Sequence, residues 1–171
     1  CQIYFQGYHK VADFVCRIMK DDDAAVSILS RLYRVYFSKY IDNNMVLVPF
    51  LQHFVPPMLW YLDFELHDAI GDDVTYCAAW ILTWFTNLSE TPRFFDAFLS
   101  AHPMLPLYTS LALARQHKDM LYKDSTILYS NLLKINNPDQ LIDDALELMA
   151  KLPPYRLWTV SHHYYGTTTT F

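Results

Sequence analysis

The residues whose types and spacing could support chemistry begin with Tyr4-Phe5-Gln6-Gly7. Gly7 is one of 3 glycines in 171 residues, and glycine is used where the backbone turns sharply or closely approaches another group. The glutamine beside it carries a carboxamide that both donates and accepts hydrogen bonds. The letters YFQG are also the end of a common protease-cleavage tag, so the segment is either a functional loop or an expression remnant.

The seven histidines do not indicate a metal site. None belongs to an H-x-x-x-H pair on one helical face. His162 and His163 are adjacent and diverge in a helix or strand, and His67-Asp68 is a single ligand-type pair. We expect exposed or partly buried polar side chains at all seven positions: His9, His53, His67, His102, His117, His162 and His163.

Other catalytic patterns are equally weak. The sequence has no G-x-S-x-G motif and no glycine-rich phosphate loop. Cys1, Cys16 and Cys77 lack the spacing of a disulfide framework, which favours reduced, intracellular thiols. We predict Cys16 and Cys77 as core residues, because a reactive thiol needs an adjacent cation that is not evident. The acidic runs at 21–23 and 143–144 read as a loop and a solvated face, so the chain is not predicted to be an enzyme with its own cofactor.

Length and composition indicate one domain with a real core. Hydrophobic residues make up 53% and charged residues 18%, which is too apolar for disorder. The net charge of -5 offers no basic surface for nucleic acid. The long apolar stretch Val74–Phe85 is too short for the ~20 residues that span a bilayer, and it is predicted as a buried core helix. No secretory signal precedes it.

Helical periodicity runs through the chain. Prolines and polar caps predict where the helices begin and end. Thr91-Pro92 and Asn137-Pro138 suit helix starts, Pro56-Pro57 an end or kink, and Pro103 and Pro153-Pro154 ends. Apolar residues predicted on buried faces include Val26, Leu29, Leu32, Tyr33, Tyr36, Val46, Leu47, Phe50, Leu51, Phe54 and Val55.

These patterns predict an all-α fold with about seven or eight helices. No segment alternates like a strand, and no fixed-period repeat is evident. We expect one domain over residues 1–155 and a C-terminal tail over 156–171. The end of this tail, HHYYGTTTTF, is expected to be frayed or loosely packed.

Three segments in order resemble the TBC domain, an all-helical domain that accelerates GTP hydrolysis by Rab-type GTPases. YFQGYHK, at 4–10, is similar to the family's Y-x-Q-G motif. AAWILTWFTN, at 78–87, is similar to its S-W-x-L-T-x-F segment, and PRFFDAFLSAHPMLPLY, at 92–108, to its R-x-x-D-x-F helix and following turn. The resemblance covers roughly residues 3–154. It favours a natural segment over a tag remnant, since the chain continues into YHK and Cys1 precedes Gln2.

The resemblance implies a role for each residue of the first motif. Gln6 would orient the attacking water in the GTPase, and Gly7 would let the backbone approach the nucleotide or the partner. Tyr4, Tyr8 and His9 would shape the loop, with plain packing as the alternative for the two tyrosines. GTP and Mg²⁺ would belong to the GTPase, so the chain itself needs no cofactor.

The family's arginine finger lies in an I-x-x-D-x-x-R motif before the glutamine, and no such motif precedes Gln6. Ile18-x-x-Asp21 is the nearest echo, but it follows Gln6, and Ala24 stands where arginine is expected. We therefore expect a fragment that lacks the first helices and stimulates hydrolysis weakly, unless Arg17, Arg31 or Arg34 substitutes. Lys10 replaces an expected acidic residue.

The remaining motif residues are expected to be mainly structural. Arg93 and Asp96, at i and i+3, are predicted to brace helices, with partner contact as the alternative for Arg93. Core packing is expected for Trp80, Trp84, Phe85, Phe94, Phe95 and Phe98. Details such as the Q-G-Y-H variant resemble a subfamily of endoplasmic reticulum and early secretory Rabs, which implies a cytoplasmic protein, peripheral at endoplasmic reticulum or Golgi membranes, that reaches the membrane only through an anchor outside these residues. A catalytically silent, TBC-like scaffold that binds a Rab or another partner is the alternative to an activator.

Overall fold

The structure is a computed structural model that describes residues 7–38, 46–89, 92–129 and 133–166. Within these ranges it is all α-helical, which confirms the predicted fold class. Ten α-helices are present there, more than the seven or eight expected, because turns divide several of the long apolar stretches. They are α1 (Tyr8–Met19), α2 (Asp22–Leu32), α3 (Leu47–Leu62), α4 (Phe64–Ile70), α5 (Thr75–Leu82), α6 (Pro92–Ser100), α7 (Leu105–Gln116), α8 (Lys118–Leu121), α9 (Pro138–Lys151) and α10 (Pro154–Tyr164). A π-helical turn, Tyr33–Phe37, extends α2, and a 3₁₀ helix covers Ser125–Tyr129.

Helix α7 lies at the centre of the core. All residues from Leu105 to Ala114 are buried. Two of its buried hydroxyls are satisfied within the helix, since Thr109 donates to the Leu105 carbonyl at 2.9 Å and Ser110 to the Pro106 carbonyl at 3.0 Å. A helix that is buried all round can keep such residues only if their hydroxyls find acceptors.

Helix α9 covers α7 with one apolar face. Leu141, Ile142, Ala145 and Leu148 are buried at helical spacing. Asn137 caps the helix by accepting from the Gln140 N–H at 3.1 Å, and Pro138 is its first residue, as predicted. The buried Tyr108 hydroxyl donates to the Leu152 carbonyl at 2.6 Å and so ties the end of α9 to α7.

Several local expectations are corrected. Cys16 is exposed rather than in the core, because it lies just beyond the buried stripe of Val11, Phe14 and Val15 on α1, whereas Cys77 is buried as predicted. Val26, which was predicted on a buried face, is 62% exposed. The acidic run 21–23 is not a loop, since the Asp21 carboxylate accepts from the Ala24 N–H at 2.7 Å and starts α2.

Pro56-Pro57 were predicted to end or kink a helix, and an end there is wrong, because α3 continues through both prolines to Leu62. Each proline lacks the N–H that would bond the carbonyl four residues earlier, which leaves the Gln52 and His53 carbonyls without helical donors. Helix α10 and the residue that follows it supply the donors instead. The Ser161 hydroxyl donates to the His53 carbonyl at 2.7 Å, and the Tyr165 hydroxyl donates to the Gln52 carbonyl.

The C-terminal stretch is thus more ordered than expected. His162 to Tyr164 belong to α10 and Tyr165 follows it, and Leu157 and Ser161 of this helix are fully buried. The fraying predicted for HHYYGTTTTF is therefore wrong for its first four residues, and residues 167–171 lie outside the described ranges. Helix α10 also crosses the predicted boundary between 155 and 156.

Candidate functional site

The described part of the candidate site begins with Gly7. Its φ of 112° is a left-handed value that glycine adopts readily and other residues rarely do. The Lys10 N–H donates to the Gly7 carbonyl at 2.9 Å, which starts α1. The His9 Nδ1 accepts from the Gly7 N–H at 3.4 Å. These bonds fix the direction in which the chain enters α1.

Tyr8 anchors the start of α1 to the end of α2. Its hydroxyl donates to the Leu29 carbonyl at 2.8 Å. Its ring meets Tyr33 edge-on at 6.1 Å between centroids and Phe37 at 5.4 Å. Burial, with Tyr33 adding to it, raises the pKa of Tyr8 to about 12. Tyr8 therefore remains a neutral hydrogen-bond donor at physiological pH.

The aromatic seat for Tyr8 is a π-helical turn. Tyr33 and Phe37 are the first and last residues of the π-helical segment, and Phe37 is buried. One-turn π segments within α-helices are uncommon and frequently occur at functional sites. Both rings of this turn contact Tyr8 of α1.

Trp84 connects this turn to the core. Its ring centroid lies 5.1 Å from Tyr36, 5.3 Å from Phe37, 5.1 Å from Phe95 and 5.6 Å from Phe98. Trp84 is buried, as are the other five aromatic residues predicted to be core. The segment that resembles the family's aromatic motif is thus a packing centre.

The backbone at Trp84 is unusual. Trp84 and Phe85 have φ values of 46° and 63°, in a region that bulky side chains rarely occupy. Helix α5 consequently ends at Leu82, before the predicted end of the long apolar helix. Hydroxyls hold the turn: Thr83 donates to the Asn87 side-chain oxygen at 2.7 Å and Thr86 to the Thr83 carbonyl at 2.7 Å.

An apolar groove runs beside the π-helical turn. Its volume is about 390 Å³, and its lining comprises Ile28, Arg31, Leu32, Val35, Tyr36 and Leu99. A second cavity of about 240 Å³ shares Val35 and Tyr36 and reaches Trp84. The groove and the Tyr8 seat therefore use the same turn of the chain.

Arg93 is held by helix α9. Its Nε lies 2.7 Å from the Asp139 Oδ1, and its nearer terminal nitrogen lies 4.0 Å from the Asp96 carboxylate. The hydrogen bond to Asp139 and the surrounding carboxylates raise the pKa of Arg93. The pair with Asp139 joins α6 to α9, whereas the pair with Asp96 lies within α6.

The predicted site residues therefore separate into three groups. Gln6 and Tyr4 lie outside the described residues, and Thr91, the expected cap of α6, does too. Gly7, Tyr8 and His9 form one cluster at the start of α1. Arg93 pairs with α9. Sequence reasoning missed Tyr33, Phe37 and Thr86, and no motif marks a π-helical turn or a left-handed tryptophan.

The three arginines considered as substitutes occupy different surroundings. Arg17 pairs with Asp13 at 2.9 Å on the exposed side of α1. Arg31 lines the groove. The backbone carbonyl of Arg34 accepts from the Ser38 hydroxyl at 3.0 Å within the π-helical region.

Among the described residues, no group of three or more His, Cys, Asp or Glu side chains is placed to hold a metal ion. In the same ranges, no helix is long and apolar enough to cross a membrane. A polar cleft of about 270 Å³ between α7 and α9 carries charges of both signs, including the 2.6 Å pair of Lys151 with Glu147.

The all-α architecture of the described residues is consistent with a TBC-like domain. The sequence comparison points to the same class, because the chain is similar to TBC domain proteins. It is similar to TBC1 domain family member 20 from Bos taurus and from Homo sapiens, with 23% identity over 167 residues in each case. The same protein from Mus musculus matches at the same identity.

These matches cover 90% of the chain but 41% of each relative. The chain thus spans about two fifths of the length of the curated relatives it matches. No family model matches the chain.

Proposed function

We propose that this domain activates a Rab-type small GTPase by supplying Gln6 to the nucleotide site of its partner. The similarity to TBC domain proteins supports the class of activity. The observation that carries the assignment of the site is the anchoring directly after Gln6: Gly7 turns the backbone with a φ of 112°, and Tyr8 is hydrogen-bonded to Leu29 at 2.8 Å. A side chain that acts in another protein needs such a fixed base, because misplacement by 1 Å costs catalysis heavily.

The chemistry that this chain would contribute is positional. GTP hydrolysis needs an in-line water and compensation of the charge that develops on the phosphate oxygens. A carboxamide can accept a hydrogen bond from the water and donate one to a phosphate oxygen. Mg²⁺ and GTP would be held by the GTPase, and the domain would have no covalent step of its own.

A silent binding scaffold is the second candidate. It differs from an activator in whether an arginine finger accompanies the glutamine. An arginine that compensates charge contributes roughly 10³- to 10⁵-fold in rate, so a domain without one would bind its GTPase with little activation. The two candidates therefore differ in hydrolysis and agree in binding.

Gln6→Ala tests the proposal in the full-length protein. We expect GTP hydrolysis by the responsive GTPase to fall about 10²-fold or more, within the range of a residue that acts in trans. Binding of the GTP-loaded GTPase should change little. Single-turnover phosphate release across a panel of Rab proteins measures the first quantity, and titration with a non-hydrolysable GTP analogue measures the second.

Gln2→Ala is the matched control, since it removes a nearby glutamine outside the motif. It should retain full stimulation. Equal stimulation by the parent protein and Gln6→Ala would contradict the role of Gln6. Binding of a GTP-loaded Rab without any stimulation by the parent would support the scaffold.

We further propose action in early secretory vesicle traffic, on the cytoplasmic face of endoplasmic reticulum or Golgi membranes. The Q-G-Y-H variant of the first motif supports this location through its resemblance to that subfamily. Imaging of the tagged full-length protein against organelle markers tests it, and exclusive location elsewhere would contradict it.

A further inference from the structure

The contact between helices α3 and α10 contains a cluster of aromatic and histidine rings around His53. The His53 ring centroid lies 4.6 Å from Phe54, 5.5 Å from Trp158, 5.7 Å from His162 and 5.9 Å from Tyr165. The Tyr165 ring is stacked on His53 with 15° between the planes. His53 is therefore covered mainly by α10 and the residue that follows it.

The His53 ring nitrogen is poorly accommodated in this position. Its Nε2 is buried and has no hydrogen-bond partner among the residues that the structure describes. Burial, together with the neighbouring His162, lowers the pKa of His53. A proton added to this ring would place a cation against aromatic groups without an acceptor, which is costly in a desolvated site.

The same residue lies next to the bonds that hold α10 in place. The His53 carbonyl, freed by Pro57, accepts from Ser161, and the adjacent Gln52 carbonyl, freed by Pro56, accepts from Tyr165. Displacement of α10 would expose both carbonyls and the buried His53 Nε2 to water. Water would therefore reach the Nε2 of a charged His53 when α10 loses these contacts.

We propose that α10 is a pH-sensitive latch, which is docked while His53 is neutral and released when His53 is protonated. The proposal does not depend on the GTPase-activating function. It assigns to His53 a regulatory role that follows from its position beneath α10, beside the two carbonyls that α10 satisfies.

The other titratable or charged groups of α10 near this contact are His162, His163 and Arg156. The Nδ1 of His162 lies 2.8 Å from the Trp158 carbonyl of the same helix, α10. A charge on His162 makes a second charge on His53 less favourable. Exposed His163 faces Trp60 at 6.2 Å, and Arg156 lies 3.5 Å from the Tyr61 hydroxyl.

Contacts of Tyr164 with α4 and with the turn after it oppose the release of α10. The Tyr164 hydroxyl donates to the Asp72 carboxylate at 2.7 Å and lies 2.8 Å from the His67 Nε2, which is 3.2 Å from Asp72. The Asp72 side chain is 58% exposed, so water screens the electrostatic contacts of this carboxylate.

The direction of the pH effect follows from the lowered pKa of His53. The undocked histidine has an ordinary pKa of about 6.5, so the undocked state binds more protons than the docked state below that pH. Docking is therefore strongest above about pH 6.5 and weakens as the pH falls below it. Each unit of difference between the two pKa values weakens docking up to about tenfold.

Hydrogen exchange of the whole chain tests the latch. After correction for the intrinsic exchange rate, amides in 157–166 should lose protection by about threefold or more between pH 7.5 and 5.5. Amides of α7, within 105–116, serve as the reference and should change less. His53→Phe keeps a ring without a titratable nitrogen, and in this variant the selective loss should disappear.

His163→Gln is the matched control, since it removes an exposed histidine of the same helix and should keep the selective loss. If His53→Phe does not fold, His53→Gln provides a smaller neutral substitute. Equal change in 157–166 and 105–116 in the parent would overturn the proposal. Persistence of the full selective loss in both His53 variants would overturn it too.

Discussion

Tyr8 links the first motif to α2 by a hydrogen bond, so its hydroxyl can be tested apart from its ring. Tyr8→Phe removes the donor to the Leu29 carbonyl and keeps the ring against Tyr33 and Phe37. We expect a loss of about 1 kcal/mol in the free energy of unfolding, typical of one hydrogen bond. Urea denaturation measures the loss.

The control for this change is Tyr155→Phe, because Tyr155 is 76% exposed and lies on α10. Its stability should match the parent. The two hydroxyl deletions have the same chemistry, so equal effects would show that the Leu29 bond does not stabilise the start of α1.

Sequence reasoning predicted single residues well where the cause is local. A scarce glycine at the start of a helix indicated a special backbone, and Gly7 has a positive φ. The seat of Tyr8 was not predictable, because Leu29 and Phe37 are more than twenty residues away and their arrangement depends on a π-helical turn. The roles of Gln6 and Tyr4 stay predictions.

A side chain of α10 donates a hydrogen bond to a backbone carbonyl of α3 that lacks its helical donor. Ser161→Ala removes the donor to the His53 carbonyl, which Pro57 cannot replace. We expect a loss of about 1–3 kcal/mol in the free energy of unfolding, since a buried acceptor is left unsatisfied. Pro57→Ala would restore an N–H at the position that normally bonds this carbonyl.

The double variant makes the prediction specific. In the Pro57→Ala background, Ser161→Ala should cost about 1 kcal/mol less than in the parent, because the carbonyl has a second donor. Urea denaturation of the four proteins gives this coupling energy. Thr159→Ala, at an exposed position of α10, is the control and should show no coupling. Strict additivity of Ser161→Ala and Pro57→Ala would contradict the shared-bond interpretation.

The contrast between local effects and tertiary contacts explains which helix boundaries were predictable. Helices α6 and α9 begin at Pro92 and Pro138 because proline suits the first helical position, a local effect. Pro56 and Pro57 lie within α3 because residues more than one hundred positions later compensate for them. A proline thus predicts a lost bond reliably, but whether the helix ends there depends on tertiary contacts.

The described helices share one core, in which Trp84 joins elements that are distant in sequence. It contacts the π-helical turn through Tyr36 and Phe37 and helix α6 through Phe95 and Phe98. Helix α1 reaches the same cluster because Phe14 is stacked on Phe95 at 4.7 Å. Phe37 contacts both Tyr8 and Trp84, so the position of Tyr8 beside the proposed site depends on the packing around this tryptophan.

Trp84→Ala should therefore destabilise the whole domain. Removal of a large buried aromatic side chain costs about 3–5 kcal/mol, which is a large share of the ~5–15 kcal/mol that stabilises a typical domain. We expect an earlier urea transition and a weaker near-ultraviolet circular dichroism signal at the same helical content. Trp60→Ala, at a position that is only partly buried, should cost less.

Trp84→Gly separates the ring from the backbone. In an ordinary helix glycine is less stable than alanine by roughly 1 kcal/mol, but the φ of 46° at Trp84 favours glycine. The glycine variant should therefore be at least as stable as the alanine variant, although it buries less. A glycine variant that is clearly less stable than alanine would show that the left-handed backbone at this position does not persist in solution.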